Sequence, residues 1–308
     1  MHHRSVCFIN LKGGVGKSTL SVAFAEYLAF VRGQKVLFID GDPQCNSTAM
    51  LVGTREARDL DKRSLTLYDY IRKTLNDRWG PDIEDFVRPF ASNIAAGRTG
   101  CISLLPSTIR FADYERLLMR HVFIRDLALE KLDKRISSLV DRLESATTER
   151  HEWVVVDAPP SFNLQGRFVI RLARHAVIPT TPDPLAASGT NFVIERLKMS
   201  RLRTEPVAVV ISKYRNRSLP DKRFVEAIRI GRNPPVEHDW PGVIATLIPE
   251  STVLQRISDF DAFDMRPRSF SAKYGQETDT ISDMSEEIIT LVRDRQPPAS
   301  YRFRASEQ

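Results

Sequence analysis

Short apolar runs alternate along this chain with longer stretches in which apolar side chains return at every third or fourth position. The runs cover 6–9, 35–40, 102–105, 153–157, 175–178, 207–211 and 243–248, and they are rich in valine, isoleucine and leucine. Nearly continuous apolar character over so few residues predicts parallel strands buried on both faces. Stops follow them, as where Trp153-Val154-Val155-Val156-Asp157 gives way to Ala158-Pro159-Pro160. The periodic stretches predict helices over 20–31, 186–202 and 272–295, with one long helix or two consecutive ones over 111–144. Residues 54–100 are polar and charged and read as a loop-rich excursion, apart from a short helical patch over 65–75. Regular alternation of strand and helix predicts an α/β fold: a doubly wound, mostly parallel sheet with helices on both faces. Residues 1–296 read as one domain. Residues 297–308 read as a flexible tail, because Pro297 and Pro298 break any helix there.

Composition narrows the class without naming a reaction. Of 308 residues, 42% are hydrophobic and 27% charged, the balance of a globular protein with a large core. No apolar run approaches the roughly 18 residues of a membrane span, and the first residues, Met1-His2-His3-Arg4-Ser5, lack the apolar core of a signal peptide. Cys7, Cys45 and Cys101 are scattered and odd in number, as expected of reduced thiols in a cytoplasmic protein. The net charge of +6 favours an acidic partner, either DNA or an anionic membrane surface.

The chemistry starts where the first strand ends. Lys12-Gly13-Gly14-Val15-Gly16-Lys17-Ser18-Thr19 lies between an apolar run and an amphipathic stretch, giving strand, glycine loop and helix in the order that holds phosphates. Glycines let backbone N–H groups turn toward an anion, and the helix start adds the positive end of its dipole. Lys17 can reach the terminal phosphates of a nucleotide, and Ser18 has a hydroxyl placed for Mg²⁺. The second strand ends in Asp40-Gly41-Asp42-Pro43-Gln44-Cys45-Asn46. Two carboxylates there read either as a Mg²⁺ and water site or as a turn with capping carboxylates. Asp157, at the end of another strand, reads as a Mg²⁺ group or a strand cap.

Three of these segments carry a resemblance. The glycine of the general phosphate-loop pattern is replaced by Leu11, and a second lysine follows at Lys12. That departure resembles the deviant Walker A loop of the ParA/Soj/MinD family of ATPases. Residues 40–46 resemble the family's Asp-x-Asp-Pro-Gln-Gly-Asn motif, and 157–160 its Asp-x-Pro-Pro. The resemblance implies a Mg²⁺-dependent ATPase that forms a homodimer when ATP is bound, with Lys12 reaching across to the partner's nucleotide. It implies that Asp42 positions the attacking water, that Asp40 supports the Mg²⁺ shell and that Asp157 holds a Mg²⁺-bound water. Pro249, after the run at 243–248, would flank the adenine ring. Cys45 stands where the family has glycine, so slower hydrolysis is expected. An iron–sulfur carrier sharing the loop would need two cysteines well beyond the second strand, and only Cys101 lies there.

The basic stretch from Lys213 through Arg215, Arg217, Lys222, Arg223, Arg229 and Arg232 reads either as a DNA-phosphate surface or as a solvated loop and helix face. Arg215 occupies the place where GTPases carry the acid that reads guanine, so ATP is the expected nucleotide. The loop at Arg217 resembles one that contacts DNA in small partitioning members. The companion arginine position falls on Val253, with Arg256 shifted nearby. The resemblance further implies non-specific DNA binding, nucleoid association and a ParB-like or cargo-adaptor partner that stimulates hydrolysis. A positioning ATPase that carries a protein cargo is the alternative. With strand one starting near Val6, no helix-turn-helix is expected before it. The proline-broken tail implies no membrane anchor.

Overall fold

The computed structural model describes residues 4–76, 81–95, 100–125, 129–148, 150–200, 202–229, 240–257 and 266–294. Six strands, β1 (Arg4–Phe8), β2 (Lys35–Asp40), β3 (Cys101–Leu105), β4 (Trp153–Asp157), β5 (His175–Thr180) and β6 (Glu205–Ile211), form one sheet in the order β3-β2-β4-β1-β5-β6. Every pairing is parallel. Side chains alternate between two cores. Val6, Phe8, Val36 and Phe38 join one apolar cluster, and Cys7, Ile9, Leu37 and Ile39 join the other. Burial on both faces is why these strands read as unbroken apolar runs.

Helices α1 (Lys17–Phe30), α2 (Asn46–Lys62), α3 (Leu67–Asn76), α4 (Tyr114–Arg125), α5 (Leu129–Thr148), α6 (Leu164–Ile170), α7 (Pro184–Met199), α8 (Leu219–Arg229), α9 (Thr252–Ile257), α10 (Phe270–Tyr274) and α11 (Thr278–Asp294) cover the sheet. Among the described residues the stretch at 111–144 contains α4 and α5, and 126–128 between them lie outside the described residues. The closing helix is divided by Gly275, whose φ of 52° and ψ of −124° suit glycine.

Two expectations are corrected. The run at 243–248 forms no strand. It touches β6 through an isolated parallel bridge of Val209 with Val243, and just past both segments Tyr214 forms another with Pro249. Between them, the N–H groups of Ala245 and Thr246 turn away to the carboxylate of Glu287 on α11, at 2.5 and 2.9 Å. A side chain that satisfies two ladder donors removes the need for a ladder. The second correction concerns 54–100, where α2 continues to Lys62, while α3 falls on the helical patch expected over 65–75. Gly53, at φ 78° and ψ 160°, kinks α2 and hides its period from the sequence. Parts of this excursion, 77–80 and 96–99, lie outside the described residues, as does the expected tail at 297–308.

The topology places the chemistry. β1 lies between β4 and β5, and β4 lies between β1 and β2, so Phe8 and Asp40 both pair with Asp157. Three strands thus deliver their C-terminal ends side by side, where an open parallel sheet binds ligands.

Candidate nucleotide site

The loop between β1 and α1 turns through Gly14 and Gly16, at φ 77° and 84°. Only glycine occupies that region without cost. Gly16 caps α1, so the first N–H groups of the helix face the loop's hollow. Val15 is fully buried, and its carbonyl accepts a 2.8 Å bond from the Ser212 hydroxyl at the end of β6. That bond ties the loop to the far side of the sheet.

A cleft of about 640 Å³ opens over this hollow. Gly13, Gly14, Gly16, Lys17, Ser18, Thr19 and Asp42 line one end, and Ser212, Lys213, Ile248, Pro249 and Leu254 the other. Lys17 is nearly buried. Burial pulls its amine down from the usual lysine range, and Asp157 and Asp42 push it back up. Burial raises the Asp42 carboxyl, opposed by a 2.9 Å bond from the Gln44 N–H and by Lys17.

Asp157 is fully buried at the floor. The hydroxyl of Ser47 donates to its Oδ2, the Ser18 hydroxyl lies close enough to favour the charged carboxylate, and Oδ1 has no partner among the described residues. An orphaned buried carboxylate oxygen beside a serine hydroxyl and an anion-binding loop is a hard-oxygen set that fits Mg²⁺. Among the described residues no cluster of three or more His, Cys, Asp or Glu side chains forms a metal cage.

The structure separates residues that the sequence grouped. Asp40 is fully buried behind the loop. Its Oδ1 accepts from the Asp42 N–H at 3.1 Å, and its Oδ2 from the Thr48 N–H and hydroxyl at 2.8 and 2.6 Å. Burial, then the charge of Asp157, raises its carboxyl well above the usual range. Lys12 diverges from Lys17. Its amine bonds Asp183 at 2.8 Å and Thr181 at 3.4 Å, and it opens on a smaller cavity of about 330 Å³ shared with Gly13, Gly14, Lys213 and Arg215. Asn10 fixes that course by accepting the Lys12 N–H at 3.1 Å and donating to the Pro179 carbonyl at 2.7 Å. Asn10, Thr48, Thr181, Asp183 and Ser212 were missed in the sequence, because single polar residues just past strand ends or at helix starts carry no local signature.

Of the basic stretch, Arg217, Lys222 and Arg223 are exposed at the start of α8 and in the loop before it, and Arg256 is exposed on α9. Arg215 is committed. It pairs with buried Asp221 at 3.0 Å and holds that carboxyl down to about 2. Arg232 lies outside the described residues.

A family model described as an AAA domain matches residues 3–207. The cell division protein PomZ of Myxococcus xanthus is 29% identical over 196 residues, 64% of this chain and 52% of that protein, so the match spans about half of that relative. The chromosome partitioning protein ParA of Caulobacter vibrioides is 24% identical over 303 residues, 96% of this chain and 98% of the other. Among solved structures, an ATP complex of a McdA variant from Cyanothece shares the fold, with a TM-score of 0.62, 16% identity, and coverage of 96% of this chain and 98% of the other.

Proposed function

Since this chain belongs to the AAA-domain family and is a ParA-like member of it, we propose that it is a Mg²⁺-dependent ATPase that dimerises on ATP, binds DNA without sequence preference while dimeric, and acts in partitioning plasmids or chromosomes. One observation supports this reading above the others. A single glycine loop sends Lys17 into the cleft and Lys12 out of it. The cleft is furnished for a nucleotide without Lys12, which leaves that amine for a second molecule's phosphates. Gly13 and Gly14 add to the case, since a Cβ on either would meet nothing within 4 Å. The loop's outer face is open to an approaching chain.

In this reading Lys17 neutralises the terminal phosphates from below, and loop N–H groups cradle them. Ser18 and Asp157 would hold Mg²⁺, which when bound would supply positive charge to offset that of the phosphate oxygens. Asp42 accepts a hydrogen bond from the attacking water and orients it. Asp40 acts one step removed, by fixing the Asp42 N–H and the start of α2. Lys12 of each subunit stabilises charge on the other's phosphates, as an arginine finger does. A ParB-like or adaptor protein would stimulate this hydrolysis and so dissolve the dimer. A second reading, a positioning ATPase that carries a protein cargo, is favoured by Val253 in α9, which leaves the segment after Pro249 without the arginine expected at a DNA surface.

Co-sedimentation with DNA separates the two. With ATP the chain is expected to pellet with DNA at low salt and to be released at high salt, and with ADP or no nucleotide to stay in solution. Arg217→Ala and Arg223→Ala are each expected to lower the slope of log affinity against log salt by about one. Binding that ignores nucleotide, or no binding at all, moves the conclusion to the protein-cargo reading.

A further inference from the structure

Cys45 is the corner where the loop carrying Asp42 becomes α2, and its backbone is left-handed, at φ 57° and ψ 24°. Non-glycine residues seldom take this conformation, and they persist there only where the surroundings over-determine it. The surroundings do so here. The Cys45 N–H donates to the Asp42 carbonyl at 2.9 Å, and the Cys45 carbonyl accepts from Ala49 at 3.0 Å. On the other side of the loop, Gly41 donates to the Asp157 carbonyl at 2.9 Å. A Cβ on Gly41 would lie 2.3 Å from the side chain of Val169. Asp40 staples both ends by accepting from Asp42 and from Thr48. The Thr48 hydroxyl in turn accepts from the Ser107 N–H at 3.1 Å. The strain thus sits on the one turn that faces Asp42 toward Lys17, with fixed points on either side.

We infer that Cys45 is a positioning residue that limits hydrolysis: its left-handed turn weakens the loop conformation that presents Asp42, and a residue at ease in that turn would hold Asp42 in place for more of the time. The inference rests on the reading of Asp42 given above. The thiol adds little hold of its own. It donates to the Pro43 carbonyl at 3.3 Å, and burial pushes it up to about 12, so it stays a neutral, weak donor. What distinguishes cysteine from glycine here is the Cβ in the left-handed region, a difference of about fivefold in the weight of that conformer.

The test is a graded series: Cys45→Gly, Cys45→Asn, Cys45→Ala and Cys45→Val, compared in single-turnover ATP hydrolysis by the full chain. Gly and Asn, which tolerate the left-handed turn, are expected to raise kcat about fivefold and about twofold. Ala keeps the Cβ and loses the sulfur, and is expected to match the natural chain. Val, branched at Cβ, is expected to fall below it. KM for ATP should stay within about twofold throughout, because the phosphate loop is untouched. Hydrogen exchange over 41–50 in the nucleotide-free chain gives a readout that does not depend on activity. Protection should rise in Gly and fall in Val, with circular dichroism showing all four variants folded. If Ala, Gly and Asn fall together, the sulfur and not the backbone sets the loop; if all four match the natural chain in rate and protection, the turn is not limiting. Either result overturns the inference. Asp42→Ala, run alongside, checks the reading beneath it. That variant should bind ATP and lose hydrolysis by about a hundredfold or more, and full activity would remove Asp42 from the mechanism whatever the Cys45 series does.

Discussion

Lys12→Ala is expected to bind ATP about as tightly as the natural chain and to lose its ATP-dependent dimer. The Lys12 amine lies outside the cleft lined by Lys17, Ser18 and the loop glycines, the groups proposed to meet the phosphates. In the single chain it is held by Asp183, but both side chains are more than a third exposed. An ion pair so placed contributes little, about 0–1 kcal/mol, so Lys12 leaves it readily when a second triphosphate comes within reach. Asp183 loses little in the exchange. It keeps the Thr181 hydroxyl at 2.6 Å and, as the N-cap of α7, the Ala186 N–H at 2.9 Å. In the dimer each lysine would gain a charge-assisted bond worth about 1.5–3 kcal/mol, and symmetry makes two of them. Removing both should weaken dimerisation about a hundredfold or more. Light scattering with ATP, with ADP and without nucleotide reads this directly, and nucleotide affinity is measured on the same samples. Dimers that persist in the variant would end the cross-subunit assignment.

Lys273→Ala is expected to destabilise the fold by about 3 kcal/mol without touching the cleft. Glu26 sits on α1 and is fully buried. Its carboxylate accepts from the Lys273 amine at 2.7 Å, the Tyr274 hydroxyl at 2.7 Å and the Ser92 hydroxyl at 2.7 Å. Lys273 itself is 6% exposed and also reaches Asn93 at 2.8 Å. Removing the lysine leaves a charge in the interior with two neutral donors. Breaking such a pair from one side costs far more than replacing both members with apolar or neutral isosteres. The double variant Glu26→Gln/Lys273→Met should therefore recover most of the loss. Urea unfolding followed by circular dichroism is the measurement. A change below about 1 kcal/mol for the single variant would mean that water or a nearby group compensates for the missing amine. The site matters because it ties the helix that begins at Lys17 to α10, beside the α9 wall of the cleft.

The strands were legible because their burial pattern is local: a segment covered on both faces has to be apolar at every position, whatever lies next to it. The same holds for the glycine loop. Its two left-handed turns, its lysines and its serine are consecutive in the chain, so the anion site is written in one stretch. The segment at 243–248 shows where this reasoning stops. It has the composition of a strand, and Glu287, some forty residues on, takes the N–H groups a ladder would have used. The α2 helix shows the converse, since its polar positions and Gly53 hide a helix that packing against α1 and burial of Met50, Leu51, Val52 and Leu60 in the core sustain.

By itself, then, the sequence determined seven apolar runs, six of which are buried parallel strands, a glycine loop that opens a helix, and carboxylates at two other strand ends. The tertiary structure decided the rest. It put β4 between β1 and β2, so that Asp40 pairs with Asp157 from a strand more than a hundred residues away. It gave Lys12 to Asp183 and Glu26 to Lys273, and it set Cys45 in a left-handed turn. Local pattern fixes what a segment must bury and which anions its backbone can hold. Which buried charge meets which partner, and which corner bears strain, depends on contacts between distant segments that only the assembled sheet brings together.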